Sequence, residues 1–403
     1  MLNCGAAERP VASPPEHKLA LKTIRLVNFR SYSDATLDVP SGPVVLAGAN
    51  GTGKTNCLEA ISLLSPGRGL RGARLGEMQR NAPHDANVQE AVDGFLLGAS
   101  LWTVAATLER TDGSWEVGTG LAPLSPGANA KRVTHLNGAP AQSADFADLA
   151  PMLWLTPAQD RLFLDGAGDR RRFLDRLVFG LDGGHAKRTN RYERAMRERL
   201  RLLKEGRFDP VWLDGLEETM AAMGIALTEA RENMIDLLNE ELHLRGQAGN
   251  FPCAHLALED GLDGASDAVA LQEKFSALRR RDSESGRTNL GPHIGDLRVR
   301  HTLKRADARD CSTGEQKALL ISIVLANAWL QKRRKTESAP ILLLDEVVAH
   351  LDSERRAALF EEILSLSAQA WLTGTDSSLF TPLAGHAALV SIEAGQFLTT
   401  DWP

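Results

Sequence analysis

Gly48-Ala49-Asn50-Gly51-Thr52-Gly53-Lys54-Thr55 fits G-x-x-x-x-G-K-[ST], the phosphate-cradling P-loop. Its glycines let the backbone turn sharply with the N–H groups pointing inward. Those amides and the N-terminus of the helix that follows form an anion site. Lys54 is then placed to reach the β- and γ-phosphates of a nucleoside triphosphate, and the Thr55 hydroxyl to hold Mg²⁺. Far downstream the apolar run Ile341-Leu342-Leu343-Leu344 ends in Asp345 and Glu346. Asp345 suits the carboxylate that holds Mg²⁺ through water. Glu346 is the candidate general base for an attacking water. Each segment alone has an ordinary explanation, a Gly-rich turn or a strand end before a capped helix. Their joint presence points to a nucleotide triphosphatase that uses Mg²⁺.

Two kinds of element must position these residues. Val44-Val45-Leu46-Ala47 reads as a buried parallel strand, and residues 57–64 have helical apolar spacing. Strand, loop and helix therefore occur in the order the motif needs. Residues 341–344 and 370–373 read as further strands and 353–366 as a helix, completing an α/β sheet.

Ser312-Thr313-Gly314-Glu315-Gln316-Lys317 opens a long apolar helix, 318–330. Its ordinary reading is an N-cap with Glu315 at N3, a capping box. The same residues also form a second anion site, from Ser312 and the amides of the helix start. The run resembles the signature motif of ABC-type ATPases, in the variant of the SMC and RecF branch. That resemblance implies that Ser312, Gly314 and Gln316 cover the γ-phosphate held by the P-loop of a second subunit. Val347-Val348-Ala349-His350-Leu351-Asp352 looks like the D-loop, with Asp352 reaching the opposite site. Thr375 and Asp376 stand where transporter subunits carry a switch histidine.

Further runs resemble the RecF family: Ile24 through Tyr32, Ser65-Pro66-Gly67-Arg68-Gly69-Leu70-Arg71, Arg170-Arg171-Arg172-Phe173-Leu174-Asp175, and Thr288 through His293 with Asp296 and Leu297. The likeness spans residues 24 to 360. It implies an ATP-binding role for Arg71 and a place for Gln159 as the Q-loop ligand of Mg²⁺. There are departures: Ala158 stands at a commonly acidic position, and Gly166-Ala167-Gly168 replaces the family's Gly-Gly-Pro. The resemblance further implies a weak, DNA-stimulated ATP hydrolase working as an ATP-dependent homodimeric clamp. Its setting would be replication and recombinational gap repair, with RecR and RecO as partners and RecA loading as the outcome, in the cytoplasm at the nucleoid.

The 403 residues carry a formal charge of −6, unusual for a DNA-binding chain. The distribution is more telling than the sum. Between Arg161 and Arg207 stand fourteen Lys/Arg against seven Asp/Glu. Arg188, Arg191, Arg194, Arg197 and Arg201 are the candidate DNA contacts, beside the alternative of a solvated helix face. Tyr192 is the lone aromatic between Lys187 and Lys204, too little for a single-strand stacking platform, so double-stranded or gapped DNA is the expected partner. Lys332-Arg333-Arg334-Lys335 is a second basic run. The four cysteines, at 4, 57, 253 and 311, show no paired metal spacing. They read as reduced thiols, with Cys57 and Cys311 expected to be small buried residues. No stretch has the roughly 20 apolar residues of a membrane span.

The expected architecture is α/β, an ABC-type ATPase head with an inserted helical domain. Residues 1–17 are expected to be a disordered extension. Residues 18–175 form the P-loop part of the head, 176–287 the insertion, and 288–403 the part carrying the signature motif. Residues 102–108 and the stretch from Trp115 alternate like antiparallel strands around a turn at Asp112-Gly113. Leu216, Met220, Met223, Leu227, Ala230, Met234 and Leu237 form one apolar stripe along a helix of about 30 residues, about 45 Å long. Tyr192, Met196, Leu200 and Leu203 are its partner stripe in a short antiparallel hairpin. So short an insertion makes a compact clamp rather than the long coil of SMC-type relatives. Two other functions fit the P-loop, a transporter energising subunit and a nucleotide-gated scaffold with little turnover. The missing switch histidine speaks against the first; Lys54, Asp345 and Glu346 together speak against the second.

Overall fold

The structure is a computed structural model describing residues 18–80, 101–122, 131–206, 209–246, 251–334 and 338–402. The extension expected at 1–17, with Cys4, and the basic residues Arg207 and Lys335 lie outside the described residues.

A central sheet orders six strands as β15-β14-β3-β13-β12-β8. These are β3 (Val44–Ala47), β8 (Met152–Leu155), β12 (Ile341–Leu344), β13 (Ala370–Gly374), β14 (Ala388–Glu393) and β15 (Gln396–Thr400). All pair in parallel except β14 with β15. The short apolar runs are continuous because both faces are covered. Val45, Leu342 and Leu344 enter one core, while Val44, Leu46, Ile341 and Leu343 enter the other.

The second core is closed by an antiparallel sheet and the P-loop helix α1 (Lys54–Ser62). This sheet joins β1 (Leu19–Phe29), β2 (Tyr32–Asp38), β4 (Thr103–Arg110), β5 (Gly113–Ala122), β6 (Lys131–Leu136) and β7 (Ala139–Ala141), in the order β2-β1-β4-β5-β6-β7. Arg110 pairs with Gly113, so the hairpin turns at Thr111-Asp112, one residue earlier than expected, and Gly113 opens β5. The short helix α2 (Phe146–Leu149) leads into β8. The first core is closed by helices α3 (Ala167–Phe179), α8 (Thr313–Arg334) and α9 (Ser353–Leu366), with the three-stranded sheet β9 (Ala254–Glu259), β10 (Asp296–His301) and β11 (Ala306–Asp307).

The inserted region holds α4 (His185–Lys204), α5 (Pro210–Gly246), α6 (Ala268–Ala277) and α7 (Arg279–Ser285). Helix α5 runs 37 residues, longer than expected. Its apolar stripe serves two cores. Met220 and Leu227 pack with Tyr192, Leu271 and Phe275, whereas Met234, Leu238 and Leu242 pack into the head. The buried stripe of α4 differs from the expected one. It keeps Tyr192 and Leu203 but otherwise runs through Ala195, Arg199 and Leu202, while Leu200 and Met196 are only half-buried. A buried arginine is tolerated there because Glu217, Asp282 and the Phe275 carbonyl take up its donors. No described helix is long and apolar enough to cross a membrane.

Candidate nucleotide site

Strand β3 delivers the chain into the P-loop and α1 carries it away. Gly48, Gly51 and Gly53 have φ of 152, 84 and 118°, conformations that a side chain would strain. A Cβ on Gly53 would also stand 2.6 Å from Ser31 Oγ. The Tyr32 hydroxyl donates to the Gly53 carbonyl at 2.9 Å, so the β1–β2 turn buttresses the loop where it enters α1. Thr52 Oγ1 donates to the Ala49 carbonyl at 3.0 Å, while Asn50 and Gly51 face solvent. Lys54 is buried, and its ammonium donates to the Gly48 and Ala49 carbonyls at 2.7 and 2.9 Å. Burial lowers its pKa, against the pull of the Glu346 and Asp345 carboxylates.

Parallel pairing of β3, β13 and β12 brings the two halves of the site together. Thr55 Oγ1 donates to Asp345 Oδ1 at 2.9 Å. Thr373 Oγ1 donates to the same oxygen at 2.8 Å and accepts the Glu346 N–H at 2.9 Å. Burial raises the Asp345 pKa; the Thr373 and Thr55 hydrogen bonds oppose it, and Glu346 adds to it. Glu346 has φ 51°, in the left-handed region that suits few side chains. A backbone held there at the end of β12 is the kind of local strain that functional sites retain.

A hydroxyl and a carboxylate oxygen sharing one point fit Mg²⁺, which uses one or two protein carboxylates and completes its shell with water and phosphate oxygens. Thr55 and Asp345 would hold it. Among the described residues no group of three or more His, Cys, Asp or Glu offers an all-protein cage. Gln159 follows β8, the neighbour of β12, but its Oε1 accepts the Thr156 N–H at 3.1 Å and so caps its own turn. It has no described bond to Thr55 or Asp345. Arg71 donates to Asn56 Oδ1 and Glu59 Oε2 at 2.9 and 3.1 Å, on the P-loop helix.

The signature segment is displayed outward. Ser312, Thr313 and Gly314 are exposed. Ser312 Oγ donates to Glu315 Oε2 at 2.9 Å and its N–H to the same oxygen at 3.1 Å. These bonds and the Lys304 ammonium pull the Glu315 pKa down to about 2, the lysine most strongly. Glu315 thus supplies the returning half of a capping box, and the exposed helix start stays accessible. Gln316 differs from the expected ATP contact. Its side chain is buried and donates to the Cys311 carbonyl at 2.8 Å, so it shapes the loop from inside. Cys311 is half-buried rather than buried, because it lies on this outward loop; Cys57 is fully buried. Lys317 Nζ reaches Asp160 Oδ2 at 3.3 Å, tying the signature helix to the turn that carries Gln159. Asp352 caps α9, accepting the Arg355 N–H at 2.8 Å. Asp376, in the place of a switch histidine, caps a turn through the Ser378 N–H at 2.9 Å.

The basic face of α4 is partly neutralised by acids on the helix and just before it. Arg188 pairs with Asp182, Arg197 with Glu193 and Arg201 with Glu198. Arg191 and Arg194 are exposed and have no acidic partner among the described residues.

Sequence reasoning missed Thr373, Glu59 and the Lys317–Asp160 pair. Thr373 had one readable signal, a polar residue closing an apolar strand. Glu59 had another, an acid one helical turn beyond Thr55.

This fold and this site define an ABC-type ATPase head with an inserted helical domain. The family description RecF/RecN/SMC N terminal domain matches residues 20–390. The chain is 45% identical over 387 residues to the DNA replication and repair protein RecF of Rhizobium etli (strain CIAT 652), covering 94% of this chain and 99% of that one. The solved recombination mediator protein RecF-ATPrS in the RecFOR pathway shares the fold with a TM-score of 0.78 at 21% identity, covering 95% of this chain and 98% of that one. A solved Smc head domain with an extended coiled coil, bound to the C-terminal domain of ScpA and derived from Pyrococcus furiosus, gives 0.52 at 16% identity, covering 95% and 96%. The chain belongs to the RecF family.

Proposed function

We propose that this DNA replication and repair protein is a weak, DNA-stimulated ATPase that closes as a homodimeric clamp on double-stranded or gapped DNA. The observation that carries this reading is a division of labour within one chain. Lys54, Thr55, Asp345 and Glu346 converge, whereas Ser312 faces outward and bonds to Glu315. A γ-phosphate held by the P-loop amides and Lys54 is covered only when a second subunit presents its Ser312 and Gly314, with Asp352 beside them. Two such contacts related by a two-fold axis close the dimer.

Within each site Lys54 neutralises phosphate charge, and Thr55 with Asp345 holds Mg²⁺, which supplies charge neutralisation on the phosphate oxygens. Glu346 takes the proton of the attacking water. Loss of the γ-phosphate removes the ligand that joins the subunits and opens the clamp. Arg191 and Arg194 are cations of the α4 face without an acidic partner among the described residues, and with Arg197, Arg201 and Arg188 they line the path of duplex backbone. The division into 18–175, 176–287 and 288–403 belongs to the same proposal. So do an extension at 1–17, a supporting role for Gln159, Arg71 and Gln316 at the nucleotide, a cytoplasmic location at the nucleoid, and RecR and RecO as partners. The last follow from family membership and from the pathway named for the solved relative.

The test is ATP hydrolysis with and without duplex DNA. The clamp reading expects slow turnover that rises with DNA and disappears in Lys54→Ala. Nucleotide binding without turnover under either condition would leave a scaffold instead.

A further inference from the structure

Glu59 is fully buried on α1, four residues beyond Thr55, and therefore on the same helix face one turn further in. Its carboxylate receives two arginines. Arg30 binds it bidentately, Nε to Oε2 at 2.9 Å and Nη2 to Oε1 at 2.8 Å. Arg71 Nη1 donates to Oε2 at 3.1 Å and also to Asn56 Oδ1 at 2.9 Å. Arg30 has φ 52° and opens the turn whose Tyr32 hydroxyl bonds to Gly53 and whose Ser31 Oγ accepts from Asn56 at 3.0 Å. Arg71 keeps a half-exposed side chain at the end of a loop pinned from below, where Arg132 donates to the Gly67 carbonyl at 2.5 Å. A single carboxylate thus anchors both the turn that supports the P-loop exit and the arginine beside the phosphate site.

Two arginines on one carboxylate leave one positive charge in excess. Arg71 is the more exposed of the two, at 40% against 20% for Arg30, so the excess is presented on its side. Arg71 also donates to Asn56, the residue that follows Thr55 on the P-loop helix. The excess charge thus lies where a triphosphate would add negative charge.

We infer that Glu59 is a positioning residue of the nucleotide site, holding Arg71 toward bound ATP and fixing the Arg30–Tyr32 turn against Gly53. This rests on the reading of the site as an ATP site. Arg71 tethered to a rigid carboxylate arrives pre-oriented, and bidentate Arg30 gives the tether its direction. The inference concerns affinity and not the cleavage step, because Glu59 is sealed from the phosphate chain by the arginines it holds.

The experiment is titration of the purified full chain with a fluorescent ATP analogue and Mg²⁺, for wild type, Lys54→Ala, Glu59→Gln, Glu59→Asp, Arg71→Ala and the Glu59→Gln/Arg71→Ala double variant. Thermal melting is recorded for each. Glu59→Gln should weaken binding on the order of tenfold, the lower range for loss of a supporting partner. Glu59→Asp should recover part of that loss. In the Arg71→Ala background the Glu59→Gln change should cost much less, since the arginine it positions is gone. A merely structural glutamate would lower the melting temperature with unchanged affinity, or weaken binding equally in both backgrounds; either result overturns the inference. If Glu59→Gln does not fold, Glu59→Asp decides alone, and wild-type affinity in a folded Glu59→Asp protein overturns it. If wild type and Lys54→Ala bind alike, the ATP site itself is wrong and this inference falls with it. If they differ while Glu59→Gln matches wild type, only this inference falls.

Discussion

The Thr55 hydroxyl donates to Asp345 Oδ1 across 2.9 Å, although 290 positions separate the two residues. Thr373 completes the arrangement by donating to the same oxygen from the strand between them. One carboxylate is thereby held by two hydroxyls at the exit of the P-loop, and the next residue, Glu346, is fixed through its own N–H on Thr373. The cation position and the candidate base are set by one strand end.

This geometry predicts a pH dependence. Burial holds the Asp345 pKa above the usual carboxylate value of about 3.9. Only its ionised form helps to hold Mg²⁺, so MgATP affinity should rise with pH through that raised pKa and fall on acidification sooner than with an ordinary aspartate. Thr373→Val removes a hydrogen bond that favours the ionised form, so the acid limb should move to still higher pH. Nucleotide titrations across pH read this directly, and an unmoved limb in Thr373→Val would contradict it.

Lys54→Ala and Ser312→Ala should separate two steps. The first removes the phosphate cation and should abolish ATP binding and ATP-dependent association together. Ser312→Ala should bind ATP as a monomer close to wild type yet fail to associate, and should lose about 1 kcal/mol of stability with its cap. Filter binding beside sizing chromatography distinguishes the pair.

For DNA, Arg191→Glu with Arg194→Glu should weaken duplex binding more than Arg201→Glu with Arg188→Glu. The second pair already faces Glu198 and Asp182. The salt dependence of log K should flatten by about 0.9 for each phosphate no longer neutralised. Fluorescence anisotropy at several salt concentrations gives both numbers. An unchanged affinity and slope would place the DNA elsewhere.

Arg199 belongs to the same basic run in sequence but not in role. It is fully buried, bonded to Glu217 and Asp282 at 2.8 and 2.7 Å. Arg199→Ala leaves buried Asp282 without a cation, while Glu217 keeps Arg279, and should destabilise the protein by about 3–5 kcal/mol. Denaturant unfolding measures this. A loss of DNA affinity without a loss of stability would reverse the assignment.

Arg199 also marks where sequence reading stops. Lys54, Thr55, Asp345 and Glu346 were legible because each motif is short, contiguous and built of types with few other uses. β12 and α9 were legible because apolar period and length agree. Thr373 was not, since its role arises only when β13 lies between β3 and β12. Arg188, Arg197, Arg199 and Arg201 look alike along a helix; the acids facing them, some far away in the chain, decide which charges remain for a ligand. Gln316 lies in a motif expected to face the nucleotide, yet its side chain turns inward because the Cys311 carbonyl needs a donor.

The central claim is that two chains complete each other's ATP sites, and sedimentation velocity tests it most directly. Wild type should sediment as a monomer without nucleotide and shift toward a dimer with MgATP. Glu346→Gln, which binds but does not hydrolyse, should accumulate as the dimer, and Ser312→Ala should stay monomeric. A wild-type protein that remains a monomer in saturating MgATP, with Glu346→Gln unchanged beside it, would contradict the clamp.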